Sequence, residues 1–139
     1  MKFKLGQTFK KNNNEAAMWA IEHGYIVIFD EESNLYKIAV NKNFKKPGVE
    51  QISSVICLSV QNHIDSVMSE RGYDSVISCI SYINSSVERF KNDATVAKDW
   101  RDKVWVTCYK NIEKYKSGEI DILTSEDVIN SLPKIKWID

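Results

Sequence analysis

The sequence predicts an α+β fold: a small N-terminal helix and β-hairpin module followed by a compact all-α module of about four helices. Two observations carry this. Between Tyr25 and Val40, two runs of β-branched and aromatic residues flank a polar turn, as in a hairpin. From Ile52 onwards, apolar residues recur at i, i+3 and i+4, as in amphipathic helices. The stretch from Lys42 to Glu50, with Pro47-Gly48, reads as a linker and divides residues 1–46 from residues 47–139.

The first module reads as strand, helix, hairpin. Asn12-Asn13-Asn14-Glu15 supplies N-cap side chains and an acidic first turn. Ala17, Ala20 and Ile21 are expected to share the packed face, with Met18 and Trp19 on its flank, and Gly24 ends the helix as a left-handed residue. Tyr25-Ile-Val-Ile-Phe29 and Leu35-Tyr-Lys-Ile-Ala-Val40 are the strands, with Asp30 to Asn34 as the turn. In the return strand, Tyr36, Ile38 and Val40 form the more apolar face. A lone hairpin is marginal, so it must pack on the helix.

In the second module, Ile52, Val55, Ile56, Val60, Ile64, Val67 and Met68 line one helix, which Gly72 stops. Asp74 is expected to cap a short helix over 75–83, and 87–90 to form a turn. Asn92 or Asp93 is expected to cap the longest helix, whose face is Ala97, Trp100, Arg101, Val104, Trp105, Cys108, Ile112 and Tyr115. Lys110, Lys114 and Lys116 suit its C-terminal dipole. Thr124-Ser-Glu-Asp127 is a capping box in its Asp form, opening a helix that ends before Pro133.

Composition narrows the function. Nineteen basic residues balance nineteen acidic ones, whereas phosphate binding calls for a basic excess, so nucleic acid is not expected as a partner. The basic segment Asn41-Lys-Asn-Phe-Lys-Lys46 reads as a solvated loop. No apolar run approaches the length of a membrane span, and Met1-Lys-Phe-Lys-Leu-Gly lacks the apolar run that a secretory signal needs, so Cys57, Cys79 and Cys108 read as reduced, buried small hydrophobes.

Catalytic and metal chemistry find little support. Cys57 and His63 lie six residues apart on one helix, about 240° apart in rotation at roughly 100° per residue, so they form no dyad within it. Paired Cys/His at zinc spacing is absent, as is a glycine-rich phosphate cradle. Asp93, Asp99 and Asp102 interleave with Lys98, Arg101 and Lys103 and read as surface ion pairs plus a helix-start charge. No enzyme, cofactor or metal site is expected.

Two clusters exceed amphipathic filler: Arg71-Gly72-Tyr73-Asp74-Ser75, and Trp100-Arg101 through Trp105 with Cys108-Tyr109. Gly72 permits a chain reversal and Asp74-Ser75 restarts a helix at once. Trp100 and Trp105 bring large buried areas. Arg101, on the buried side, would need a carboxylate or backbone carbonyls, and Asp74 is its candidate partner. These residues, with Tyr82, read as the corner and core of the fold.

The same clusters carry a resemblance. Arg71-Gly-Tyr-Asp-Ser75, Cys79-Ile-Ser-Tyr82, Phe90, Trp100-Arg-Asp-Lys-Val-Trp105, Cys108-Tyr109 and Ser125-Glu-Asp with Leu132-Pro133 resemble a small helical domain of unknown function. That domain is encoded among tail-fibre genes of tailed bacteriophages and prophages. The likeness spans Gln51 to Trp137; one departure is Asn84-Ser-Ser-Val-Glu88, where small residues are usual. The N-terminal segment is similar to helix-plus-hairpin modules that precede the domain.

The resemblance implies a virion structural protein of the tail tip or baseplate–fibre region, made in the host bacterial cytoplasm and acting as an adaptor or fibre attachment. The alternatives are a tail-fibre assembly chaperone and a small inhibitor of a host factor. Other tail or fibre proteins are the expected partners, and a homo-oligomer is open. Trp19, Tyr25, Phe29 and Tyr36 are the candidate contacts.

Overall fold

The computed structural model describes residues 2–139 and has an α+β architecture in two compact units, divided between Pro47 and Gly48. The first unit holds β1 (Thr8–Phe9), α1 (Asn14–Glu22), β2 (Tyr25–Asp30) and β3 (Leu35–Val40). The second holds α2 (Val49–Arg71), α3 (Val76–Ile80), α4 (Glu88–Lys116) and α5 (Ser125–Ser131).

In the first unit the sheet order is β1-β3-β2, antiparallel throughout. The turn closes on the Asp30–Leu35 pair, and Asn34 takes a positive φ of 55°. Aspartate 30 shapes the loop by accepting from the Ser33 hydroxyl at 2.7 Å. Asn13 caps α1, its side chain accepting from the Ala16 N–H at 3.1 Å.

The packed face of α1 differs from the expected one. Ala16, Trp19 and Ala20 are buried with Phe3 and Ile38, while Met18 and Ile21 are about two-thirds exposed. Two alanines one turn apart let the helix approach the sheet closely, and the Trp19 ring fills the space beside them against Phe3 and Tyr25.

The second unit is built around Ile56, Val60, Ile64 and Met68 of α2, against Ala97, Trp100, Val104, Cys108 and Ile112 of α4. Val128 and Leu132 of the α5 region close the same core. Val55, expected on the core face of α2, is exposed. Thr124 caps α5 through a bond from the Asp127 N–H at 3.1 Å.

Helix α4 is longer than its sequence predicts. It begins at Glu88 with Val87 as an N-cap that lends no side chain, so 87–90 is no separate turn. Asp93 lies inside the helix rather than at its start, because other groups claim its carboxylate. Likewise Ser75, not Asp74, caps α3, accepting from the Ser78 N–H at 3.1 Å.

Gly72 ends α2 in the left-handed region, at φ 99°. Its N–H donates to the Ser69 carbonyl and the Tyr73 N–H to the Met68 carbonyl, each at 3.0 Å, in a Schellman-type closure. A Cβ at this position would meet nothing within 4 Å. Gly72→Val should therefore cost about 2 kcal/mol through backbone strain alone, with Gly72→Ala costing less. Urea denaturation of the two variants measures both values.

Candidate functional site

The cluster that the sequence singles out at 71–75 is the corner between α2 and α3, and its centre is a buried ion pair. Arg71, the last residue of α2, donates from Nε to Asp93 Oδ2 at 3.2 Å and from Nη2 to Asp93 Oδ1 at 3.0 Å. The reversal at Gly72 brings Tyr73 back so that its hydroxyl donates to Asp93 Oδ2 at 2.8 Å. The Asp93 side chain is 1 % exposed and that of Arg71 15 %.

The chain's last segment closes over the same guanidinium. The Trp137 ring lies 4.9 Å from the Arg71 guanidinium carbon, and Asp139 Oδ1 lies 2.9 Å from Nη2. Upstream, the Trp100 indole donates to the Pro133 carbonyl at 2.7 Å, and Ile135 packs on the core. Residues 133–139 thus form a strap tied at Trp100 and Arg71.

A second carboxylate holds the start of α3. Asp65 of α2 accepts from the Val76 N–H at 2.9 Å and from the Gln61 amide at 3.2 Å. Beside the corner, Tyr82 packs between Tyr73 and Phe90, at centroid distances of 5.9 and 5.2 Å. The cleft over this corner is ≈ 260 Å³ and is lined by Arg71, Tyr73, Asp74, Tyr82, Arg89 and Phe90 among others.

The electrostatics follow from the geometry. Burial opposes ionisation of Asp93, but the hydrogen bonds from Arg71 and Tyr73 outweigh it and hold the carboxyl below its ordinary 3.8. Arg71 is raised further above its usual range, first by Asp93 and then by Asp139. Burial, then the bond to Asp93, pushes Tyr73 up to about 12. Burial also pushes the Cys79 and Cys108 thiols up to about 11, which keeps both protonated near neutrality and weakly nucleophilic. Both carboxylate oxygens of Asp93 are engaged, so the arrangement acts as a lock.

The other expected site residues divide. Trp100 and Cys108 are buried in the core, and Gly72 and Tyr73 form the corner. Trp105 is half-buried and stacks on exposed Tyr109 at 5.8 Å. Arg101 is not the buried arginine. It sits on the rim of α4 and reaches the adjacent Asp102 at 3.1 Å, while Asp74 is exposed and takes no part in an arginine pair. By spacing Asp93 groups with the surface carboxylates, whereas in the fold it lies one turn before Ala97 on the buried face of α4.

In the first unit, Trp19 is 6 % exposed, stacked on His23 at 4.2 Å, and so serves as core rather than contact surface. Tyr25 is half-buried against it. Phe29 is exposed and pairs with half-buried Tyr36 at 5.2 Å. Period-two alternation also places Ile26 and Ile28 on the sheet face away from Ile38, both exposed.

Among the described residues, no helix is long and apolar enough to cross a membrane. Fold and site together define a two-unit α+β protein whose helical unit is locked by one buried ion pair. Comparison with protein families, with curated proteins and with solved structures gives no match.

Removing the lock's acceptor should be costly. Asp93→Ala is expected to lose roughly 3 kcal/mol at neutral pH, because Arg71 loses its buried partner and keeps only the exposed Asp139. Since folding lowers the Asp93 value, its contribution is complete above about 3.8 and is lost as pH falls through the folded-state value. The stability gap between wild type and Asp93→Asn should accordingly narrow on acidification, measured by urea denaturation from pH 7 to pH 2.

Proposed function

We propose that this chain is a structural component of a bacteriophage tail, an adaptor in the tip or baseplate–fibre region that joins other tail or fibre proteins. It is made in the host cytoplasm and carried in the virion. The observation that carries the adaptor reading is the division of labour on each unit's surface. Each unit has its own core, and each still exposes large apolar side chains: Ile26, Ile28 and Phe29 on the first, Leu58, Ile77, Val106 and Tyr109 on the second. Exposed apolar side chains that lie together serve protein association, and Ile26 and Ile28 share one face of the sheet.

The tail setting is supported by the residues of the resemblance. Arg71, Gly72 and Tyr73 build the corner lock, and Trp100 and Pro133 tie the strap. The likeness thus falls on residues that specify a shape. A helical block held this way suits a part that must keep its form within an assembly.

The test is mass spectrometry of purified particles of the phage or induced prophage that encodes the sequence. Peptides of this chain should appear in fixed ratio to the tail proteins. Their presence in the lysate but absence from the particles would contradict the structural role and match an assembly chaperone instead.

A further inference from the structure

One edge of the three-stranded sheet is open. In the order β1-β3-β2, strand β2 is an outer strand. Ile38 directs its backbone groups towards the β1 side, accepting from Gly6 N–H at 2.9 Å and donating to the Gln7 carbonyl at 3.0 Å. Its neighbours Lys37 and Ala39 therefore turn theirs towards β2, where they face Ile28 and Ile26. Tyr25, Val27 and Phe29 are left with N–H and C=O groups turned outward, and none of these groups has a hydrogen-bond partner among the described residues.

Nothing guards this edge. Strand edges are commonly blunted by lysine, proline, a bulge or shortness. The segment 25–29 contains no charged residue and no proline, and its register against β3 runs without a bulge. The opposite edge, β1, spans only Thr8–Phe9 and is followed by Lys10 and Lys11. The side chains at the free edge are also apolar and reachable: Ile26 is 41 % exposed, Ile28 44 % and Phe29 49 %.

The residue order selects the occupant. Tyr25-Ile26-Val27-Ile28-Phe29 reads the same from either end in residue class: aromatic, isoleucine, valine, isoleucine, aromatic. An antiparallel copy centred on Val27 sets valine opposite valine, each isoleucine opposite an isoleucine, and each tyrosine opposite a phenylalanine. That register is also the one in which every outward N–H at Tyr25, Val27 and Phe29 meets an outward carbonyl of the other copy. Apolar and aromatic cross-strand pairs of this kind favour association.

We propose that β2 pairs with β2 of a second copy about a two-fold axis at Val27, joining two sheets into one continuous sheet. Such a contact is isologous and closes at two subunits. It joins the isoleucines of both copies into one apolar stripe on the face opposite Ile38. The pairing stands independently of the tail setting.

Sedimentation velocity across a concentration series tests it. The wild-type chain should pass from monomer to dimer as concentration rises. Val27→Pro removes an N–H that has no partner in the hairpin, where an edge proline is tolerated. Ile26→Lys sets a charge opposite Ile28 of the second copy. Both variants should remain monomeric at concentrations where the wild type is dimeric, with unchanged far-ultraviolet circular dichroism. If Val27→Pro fails to fold, Ile26→Lys alone decides. A wild type that stays monomeric throughout, including one that associates only with a fibre protein, overturns the proposal. So does a dimer that survives Ile26→Lys.

Discussion

The helical unit depends on one buried carboxylate. Asp93 lies on the buried side of α4 with Ala94 and Ala97, and it is fully buried. An unpaired charge there would cost several kcal/mol, so the fold must bring a cation to it. Arg71 meets that need only if α2 ends where it does, and Tyr73 meets the remaining acceptor only if Gly72 reverses the chain. The same guanidinium then carries Trp137 and Asp139 on its outer side. One acidic side chain thereby fixes the end of α2, the approach to α3 and the seat of the terminal strap. An apolar core of equal volume could be as stable, but it would not specify these contacts in the same way.

Much of this scaffold was legible in the residues. Glycine 72 and Gly24 marked helix ends, the hairpin strands followed from two β-rich runs around a polar turn, and Thr124 opened α5 as its capping box implied. The Arg71–Tyr73 corner could be placed because a glycine between two helical patterns has few other uses. Its energetic centre could not. Asp93 ends the polar run 91–93, which has the composition of a helix start, and a single buried acid among surface acids leaves no trace in hydrophobic periodicity. Arg101 falls on the apolar face of α4 by spacing alone, yet a long stem can line a core while its charge stays at the rim.

The first unit teaches a related lesson about size. Periodicity favoured the larger Ile21 for the packed face, yet the contact uses Ala16 and Ala20, with Trp19 as the large side chain. Close approach of a short helix to a three-stranded sheet rewards small residues, and hydropathy alone does not register that preference. The sheet then has exposed isoleucines on its outer face and an open edge, and native proteins commonly blunt such an edge. In the proposed adaptor they are the surfaces for association, while the locked helical unit provides the rigid block.

The central claim is that Arg71 and Asp93 act as a single unit on which the corner and strap rely. A double-mutant cycle on Arg71→Met and Asp93→Ala, read by urea denaturation, measures that directly. Coupling of about 2 kcal/mol or more is expected, with the double variant less damaged than the sum of the single ones. Additive losses, agreeing to within about 0.5 kcal/mol, would contradict the account.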